Sequence, residues 1–299
     1  MAKDLADAFP AARDVWDAAD AALGSSLGAL LSTTAFEGPA EELTLTHNAQ
    51  PALLTHGAAV WSVTKAALAP KVRAAAGHSL GEFTAFHAAG ALALADAVRL
   101  VRRRGELMFE SGTSRPGAMA AILGDLSRSI EEICIDAGSA GVVVPANYNS
   151  LEQTVISGEV AGVERAMELA KAAGAKRAIR LNVSGAFHSP LMASAAGGLE
   201  RALSGAAWRE PTWSVFSNVT ADPVRSAADA RELLLRQLTS PVRWVDVIRS
   251  MAAAYPSATF LEMGPGSVLT GLLKRLAPNH SARTCGTAAE VESLLTEVA

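Results

Sequence analysis

The sequence predicts an α/β fold: one large domain on a parallel central sheet, interrupted by a smaller inserted domain of order βαββαβ. Three observations carry that expectation. A short strand candidate at 72–76 runs directly into a glycine-bracketed turn and an amphipathic helix. Between about 118 and 183, strand-like and helix-like periods alternate. Alanine and leucine are abundant while aromatics make up only 5% of the chain, a balance that suits many packed helices around a modest sheet.

The elements follow in order. From Pro10 to Leu23, apolar Val15, Ala19 and Ala22 recur at helical spacing, with proline at the start and Gly24 at the end. Pro51 to Leu68 is Ala-rich and predicts a second long helix. The strand at Val72–Ala76 comes next. In the middle segment, 119–123 reads as strand, 127–137 as helix, 142–147 and 153–157 as strands, 160–173 as helix ended by Gly174, and 178–183 as strand. That order is the split unit of ferredoxin-like folds. The small domain is therefore expected over 115–187, and the large domain over 1–114 and 188–299. A strand at 213–217, a helix at 228–238, a strand at 258–263, a Gly-Pro-Gly turn and a helix at 267–276 return the chain to the large domain.

Composition excludes several functions. With 299 residues, 50% hydrophobic and 19% charged, the chain can bury a sizeable core. A net charge of −4 with both signs interspersed offers no sequence-wide attraction to nucleic acid or anionic lipid. Cys134 and Cys285 lie far apart without metal-ligand spacing and read as reduced thiols; no metal site is expected. No segment has signal-peptide character or spans a membrane in length, so a cytoplasmic protein is expected; the sequence leaves oligomeric state open, with monomer as the default expectation.

Gly77-His78-Ser79-Leu80-Gly81 lies between strand and helix, the context in which G-x-S-x-G forms a nucleophile elbow as in α/β-hydrolase-like domains. A helix N-terminus behind the serine supplies N–H groups and a positive dipole end suited to an oxyanion. A plain N-cap serine turn is the competing reading. Of the six histidines, His188 stands where the chain returns from the small domain, and junction loops line clefts. It is the candidate base, against a loop histidine with a structural hydrogen bond. His78 adjoins the serine, but neighbours at an elbow point apart.

The helix over 96–110 places Arg99, Arg103, Glu106 and Glu110 on a solvated stripe, and Ala97, Val101, Arg104 and Met108 on the opposite one. Arg104 thus projects where an apolar residue belongs. A buried guanidinium needs a carboxylate, from the protein or from a ligand, unless it snorkels to solvent.

GHSLGE at 77–82, RRRGELM at 102–108, GAFHSPLM at 185–192, RQLTSPVRW at 236–244 and EMGPGSVLTGLLKR at 262–275 together resemble the malonyl-CoA:acyl carrier protein transacylases, over about 1–276. Polyketide-synthase acyltransferase domains share several of these motifs. The resemblance implies that Ser79 is acylated, His188 is its base, the Leu80 N–H is one oxyanion donor, and the carbonyl of Gln237 orients the histidine. It further implies that Arg104 holds the malonyl carboxylate, that Asn147 and Asn149 line the site, and that Phe187 marks the malonyl-selecting form. The partners implied are malonyl-CoA and acyl carrier protein, in fatty acid or polyketide synthesis, with no cofactor of the chain's own.

One departure stands out. Members of that family begin with an apolar strand and a loop that ends in a glutamine, the second oxyanion donor; here the first strand is missing, and Met1–Leu5 matches sequence just beyond that loop. Its loss is expected to expose two strand edges and to cost about two to three powers of ten in rate. A mis-assigned start is the favoured explanation. Two rival functions stay open: a serine esterase or thioesterase, and a weakened carrier-protein-binding homologue. Lys171, Lys176, Arg177 and Arg180 form the best basic cluster for an acidic carrier.

Overall fold

The computed structural model describes residues 1–24 and 29–298. The expected large-domain bounds also take in 25–28 and 299, which lie outside the described residues. Helices α1 (Lys3–Ala8), α2 (Pro10–Leu23), α3 (Leu31–Glu37), α4 (Ala40–Thr44) and α5 (Thr46–Leu68) precede the first strand, β1 (Ala74–Ala76). Then come α6 (Leu80–Ala88) and α7 (Leu94–Ser114). The small unit is β2 (Ala118–Leu123), α8 (Ile130–Ala137), β3 (Val143–Ser150), β4 (Gln153–Gly158), α9 (Val160–Ala172) and β5 (Arg177–Arg180). A 3-10 turn at Pro190–Ala195 leads into α10 (Ala196–Gly205), β6 (Ser214–Phe216), β7 (Pro223–Val224), α11 (Ala227–Gln237) and α12 (Trp244–Ala254). The chain closes with β8 (Phe260–Met263), α13 (Val268–Leu276), β9 (Ala282–Cys285) and α14 (Ala288–Val298).

The large region differs from the single parallel sheet expected. Among the described residues its strands form two pieces: β1-β6-β7, with β1 and β6 parallel and β7 antiparallel, and the parallel pair β8-β9. Between the pieces runs a channel of about 1090 Å³, lined by β1 and β8, by Gly57 and Trp61 of α5, and by Ile248 of α12. Each piece therefore keeps one unpaired edge toward the channel.

In the small unit the strands pair antiparallel in the order β3-β4-β2-β5. Period-two alternation divides β2 cleanly: Ala118, Ala120 and Ile122 pack under α8 and α9, while Met119 and Ala121 face the opposite side with Ala146 and Val155. The helix expected from 127 begins instead at Ile130, because Ser129 caps it: its hydroxyl accepts from Glu132 N, and the Glu132 carboxylate accepts from Ser129 N. Val242 O accepts from Tyr148 N and Val242 N donates to Ala146 O, so β3 is tied to the loop before α12.

Cys134 and Cys285 are free and buried, and burial pushes their thiols up to about 12 and about 11. At neutral pH both are protonated and weakly nucleophilic. Among the described residues, no helix is long and apolar enough to cross a membrane.

Candidate active site

The site begins with a forced turn. A Cβ on Gly77 would lie 1.9 Å from the carbonyl carbon of Gly81 and 2.5 Å from Glu82 N, so only glycine lets the strand end press against the start of α6. That contact throws Ser79 into positive φ, 49°, a conformation that L residues rarely adopt. Asn218, fully buried just after β6, holds the turn from both sides: its Oδ1 accepts from Ser79 N at 2.7 Å, and its Nδ2 donates to Gly77 O at 2.8 Å. Leu80 is the first residue of α6, and its N–H has no intrahelical acceptor.

His188 also has positive φ, 56°, and is buried. Its loop is pinned by α7: a Cβ on Gly112 would lie 2.2 Å from Ser184 O, and Ser111 Oγ donates to Leu191 O at 3.0 Å. The ring spans two partners, with Nδ1 2.9 Å from the Gln237 carbonyl and Nε2 2.8 Å from Ser79 Oγ. A carbonyl only accepts, so Nδ1 carries the proton and Nε2 is left to accept from the serine hydroxyl. Burial and then the Arg104 charge lower the imidazole to about 3, which keeps it neutral at physiological pH. A neutral imidazole aimed at a hydroxyl is what a general base requires.

Arg104 is 1% exposed. Its Nη1 donates to Gln50 Oε1 at 2.6 Å, and its Nη2 donates to Ser79 Oγ at 3.0 Å and to Gln237 Oε1 at 2.9 Å. The guanidinium also stacks over Phe83, 5.4 Å from the ring centroid. Burial lowers its pKa to about 10, which still leaves it a cation. The neighbouring stripe behaves as an ordinary solvated face, with Arg103 paired to Glu106 and Glu110.

Under the elbow lies Glu82, with no exposed surface. Its Oε2 accepts from Gln237 Nε2 at 2.8 Å and from Asn218 N at 3.1 Å, while Oε1 has no partner. Burial pushes the carboxyl up to about 7 against the hydrogen bonds and the Arg104 charge that favour its ionised form.

Ser79, His188, Arg104 and Gln237 thus meet at one point. Leu80 adjoins them through the backbone. Asn147 is buried in β3, and Asn149 Oδ1 pairs with His78 Nε2 at 2.8 Å; neither asparagine has a hydrogen bond to Ser79, His188 or Arg104. Phe187 is half-buried between the large core and the inner face of β2. His78 is turned away to Asn149, and His87 is occupied by Leu92 O at 2.9 Å. Of the basic cluster, Arg180 pairs with Glu164. Three members of the site carried no assignment from the sequence: Gln50, Asn218 and Glu82. The one available signal was an asparagine directly after the apolar strand expected at 213–217; Gln50 lies one residue before the helix expected at 51–68.

Known proteins resemble the chain over nearly its whole length. Residues 1–293 match the family model described as "Acyl transferase domain". The malonyl CoA-acyl carrier protein transacylase of Bacillus subtilis (strain 168) is 47% identical over 278 residues, 92% of this chain and 86% of the relative. The crystal structure of an acyl-carrier-protein-S-malonyltransferase from Bartonella henselae superposes with a TM-score of 0.93 at 41% identity, covering 100% of this chain and 94% of that one. A type II PKS acyl-carrier protein in complex with its malonyl-transacylase gives a TM-score of 0.92 at 39% identity, covering 99% and 94%. With its family model matched along nearly the whole length and relatives this similar, the chain belongs to the acyl transferase domain family.

Proposed function

We propose that the chain transfers a malonyl group from malonyl-CoA to the phosphopantetheine thiol of acyl carrier protein, by way of an acyl-serine at Ser79. The observation that carries this reading is the buried fork of Arg104, whose Nη2 reaches 3.0 Å from Ser79 Oγ. A guanidinium held there marks where the far carboxylate of a short diacid would end when its thioester carbon meets the hydroxyl.

The steps follow from the partners already described. His188 Nε2 takes the hydroxyl proton as Ser79 Oγ attacks the thioester carbon, and the Leu80 N–H faces the developing oxyanion. The thioester C–S bond breaks and the imidazolium protonates the departing CoA sulfur. In the second half-reaction the same nitrogen takes the proton of the carrier's thiol as its sulfur attacks the serine ester; the Oγ–acyl bond breaks and the imidazolium returns the proton to Ser79 Oγ. Imidazolium is stabilised by the Gln237 carbonyl, a dipole rather than a carboxylate. This favours transfer over the esterase reading, in which an acid usually backs the histidine. The chemistry asks for no cofactor beyond the pantetheine carried by the partner. The strand order of the small unit supports reading it as a ferredoxin-like insert over 115–187.

Incubation with malonyl-CoA is expected to add one malonyl group to the peptide carrying Ser79, and holo acyl carrier protein is expected to remove it. Intact-mass and peptide-mass measurements check both steps. No adduct, or an adduct lost to water faster than to the carrier, would sink the proposal.

A further inference from the structure

The Glu82 carboxyl is buried one hydrogen bond from the amide that touches Arg104. Gln237 joins the two: its Nε2 donates to Glu82 Oε2 at 2.8 Å, and its Oε1 accepts from Arg104 Nη2 at 2.9 Å. The same Nε2 also donates to Ser79 O at 3.0 Å, so this amide cannot turn over without breaking three contacts. No ion pair to a carboxylate is made by Arg104 among the described residues; its three acceptors are two amide oxygens and a hydroxyl. The negative charge nearest in this network is therefore that of Glu82, relayed through Gln237.

We propose that Glu82 is the resident counter-charge of Arg104, and that it takes up a proton from solvent when an acyl group ending in a carboxylate docks on the guanidinium. This rests on the malonyl reading given above. Two carboxylates sharing one buried cation repel, and the easier one to neutralise is the one away from the guanidinium. The proton has a place to go. Oε2 accepts two hydrogen bonds while Oε1 makes none, so protonation at Oε1 leaves both Oε2 bonds in place, and the neighbouring Ser217 hydroxyl can accept from the acid as readily as donate to the carboxylate.

The surroundings agree. Facing Glu82 are Ser217 and Asn218 after β6, Gln237 from α11 and the Arg104 charge from α7. The other titratable groups at the site are His188 and His78, both lowered by burial and so neutral above pH 7. Glu82, pushed up to about 7 chiefly by burial, is the member poised to change charge in that range. A monoacid such as acetyl brings no charge and should cause no uptake. Glu82 acts here as a positioning residue, because it touches neither thioester nor leaving group.

The test is calorimetric. Ser79→Ala, which cannot be acylated, is titrated with malonyl-CoA at pH 8 in two buffers of different ionisation enthalpy. About one proton should be taken up per malonyl-CoA bound, and about none per acetyl-CoA. In steady state, KM for malonyl-CoA in the wild type should rise by roughly tenfold per pH unit above the Glu82 pKa, with kcat little changed. Glu82→Gln should remove that rise. Equal proton counts for the two thioesters, or a pH dependence of KM that survives in Glu82→Gln, would overturn the inference. Should Glu82→Gln fail to fold, the proton count on Ser79→Ala decides alone. If wild type forms no malonyl adduct at Ser79, the function reading falls; an adduct formed without differential proton uptake removes this inference only.

Discussion

Arg104 already holds three hydrogen bonds through Nη1 and Nη2, while its buried Nε has no partner. An arriving carboxylate must exchange with Gln50, Gln237 or Ser79, and each exchange returns a charged bond for a neutral one. Removing the guanidinium should therefore hurt the diacid far more than the monoacid. Arg104→Ala is expected to lower kcat/KM for malonyl-CoA by about 2–4 kcal/mol of transition-state binding while acetyl-CoA is used as well or better. A competition assay with the two thioesters reads this directly; unchanged discrimination would refute it. Among single residues, Ser79, His188 and Arg104 were legible because each broke a local expectation: a serine between strand and helix, a histidine at a domain junction, a cation on an apolar stripe. Gln50, Asn218 and Glu82 were not. An amide or carboxyl at a buried position leaves no periodic trace, and its partners are 54, 139 and 155 residues away.

At the scale of elements, the sequence reading located the long amphipathic helices, placed no helix at α1, α3, α4, α10, α12 or α14, and misjudged helix ends where tertiary bonds decide them. The Ala-rich run predicts a helix from Pro51; α5 starts at Thr46. Pro51 has no N–H for the carbonyl of His47, and Arg102 Nη1 on α7 fills that gap at 2.9 Å. Strand β1 is shorter than its expected 72–76 because the N–H groups of Lys71 and Val72 bond Leu68 O and finish the helix before it. Strand β9 was missed: four residues with arginine and threonine give no alternation to see. The strand–turn–helix join is the element on which the site depends. Gly77→Ala would force a methyl against backbone atoms that cannot yield, at 1.9 and 2.0 Å. We expect a loss of about 3 kcal/mol or more in urea unfolding together with loss of Ser79 labelling; a variant with normal stability would show that the turn is not clamped as described.

For the molecule as a whole, the buried site makes stability depend on pH in two opposing ways. Glu82 has its folded value raised from 4.5 to about 7, so its contribution is full below 4.5 and is lost as pH rises through 7. His188 has its value lowered from 6.5 to about 3, so its contribution is present above 6.5 and is lost as pH falls toward 3. Between pH 4.5 and 6.5 the two act against each other. Glu82→Gln should remove the alkaline loss: between pH 4.5 and 8 its unfolding free energy should fall by about 3 kcal/mol less than that of the wild type. Denaturant midpoints at both pH values measure the difference, and parallel curves would contradict it. The same tension shows in the backbone, where both partners of the proposed proton transfer, Ser79 and His188, hold positive φ. Anyone hardening this enzyme by replacing non-glycine residues of positive φ would find Ser79 and His188 beside Ala2 and Ala221 among the candidates and, on the proposed mechanism, would trade turnover for a sturdier scaffold.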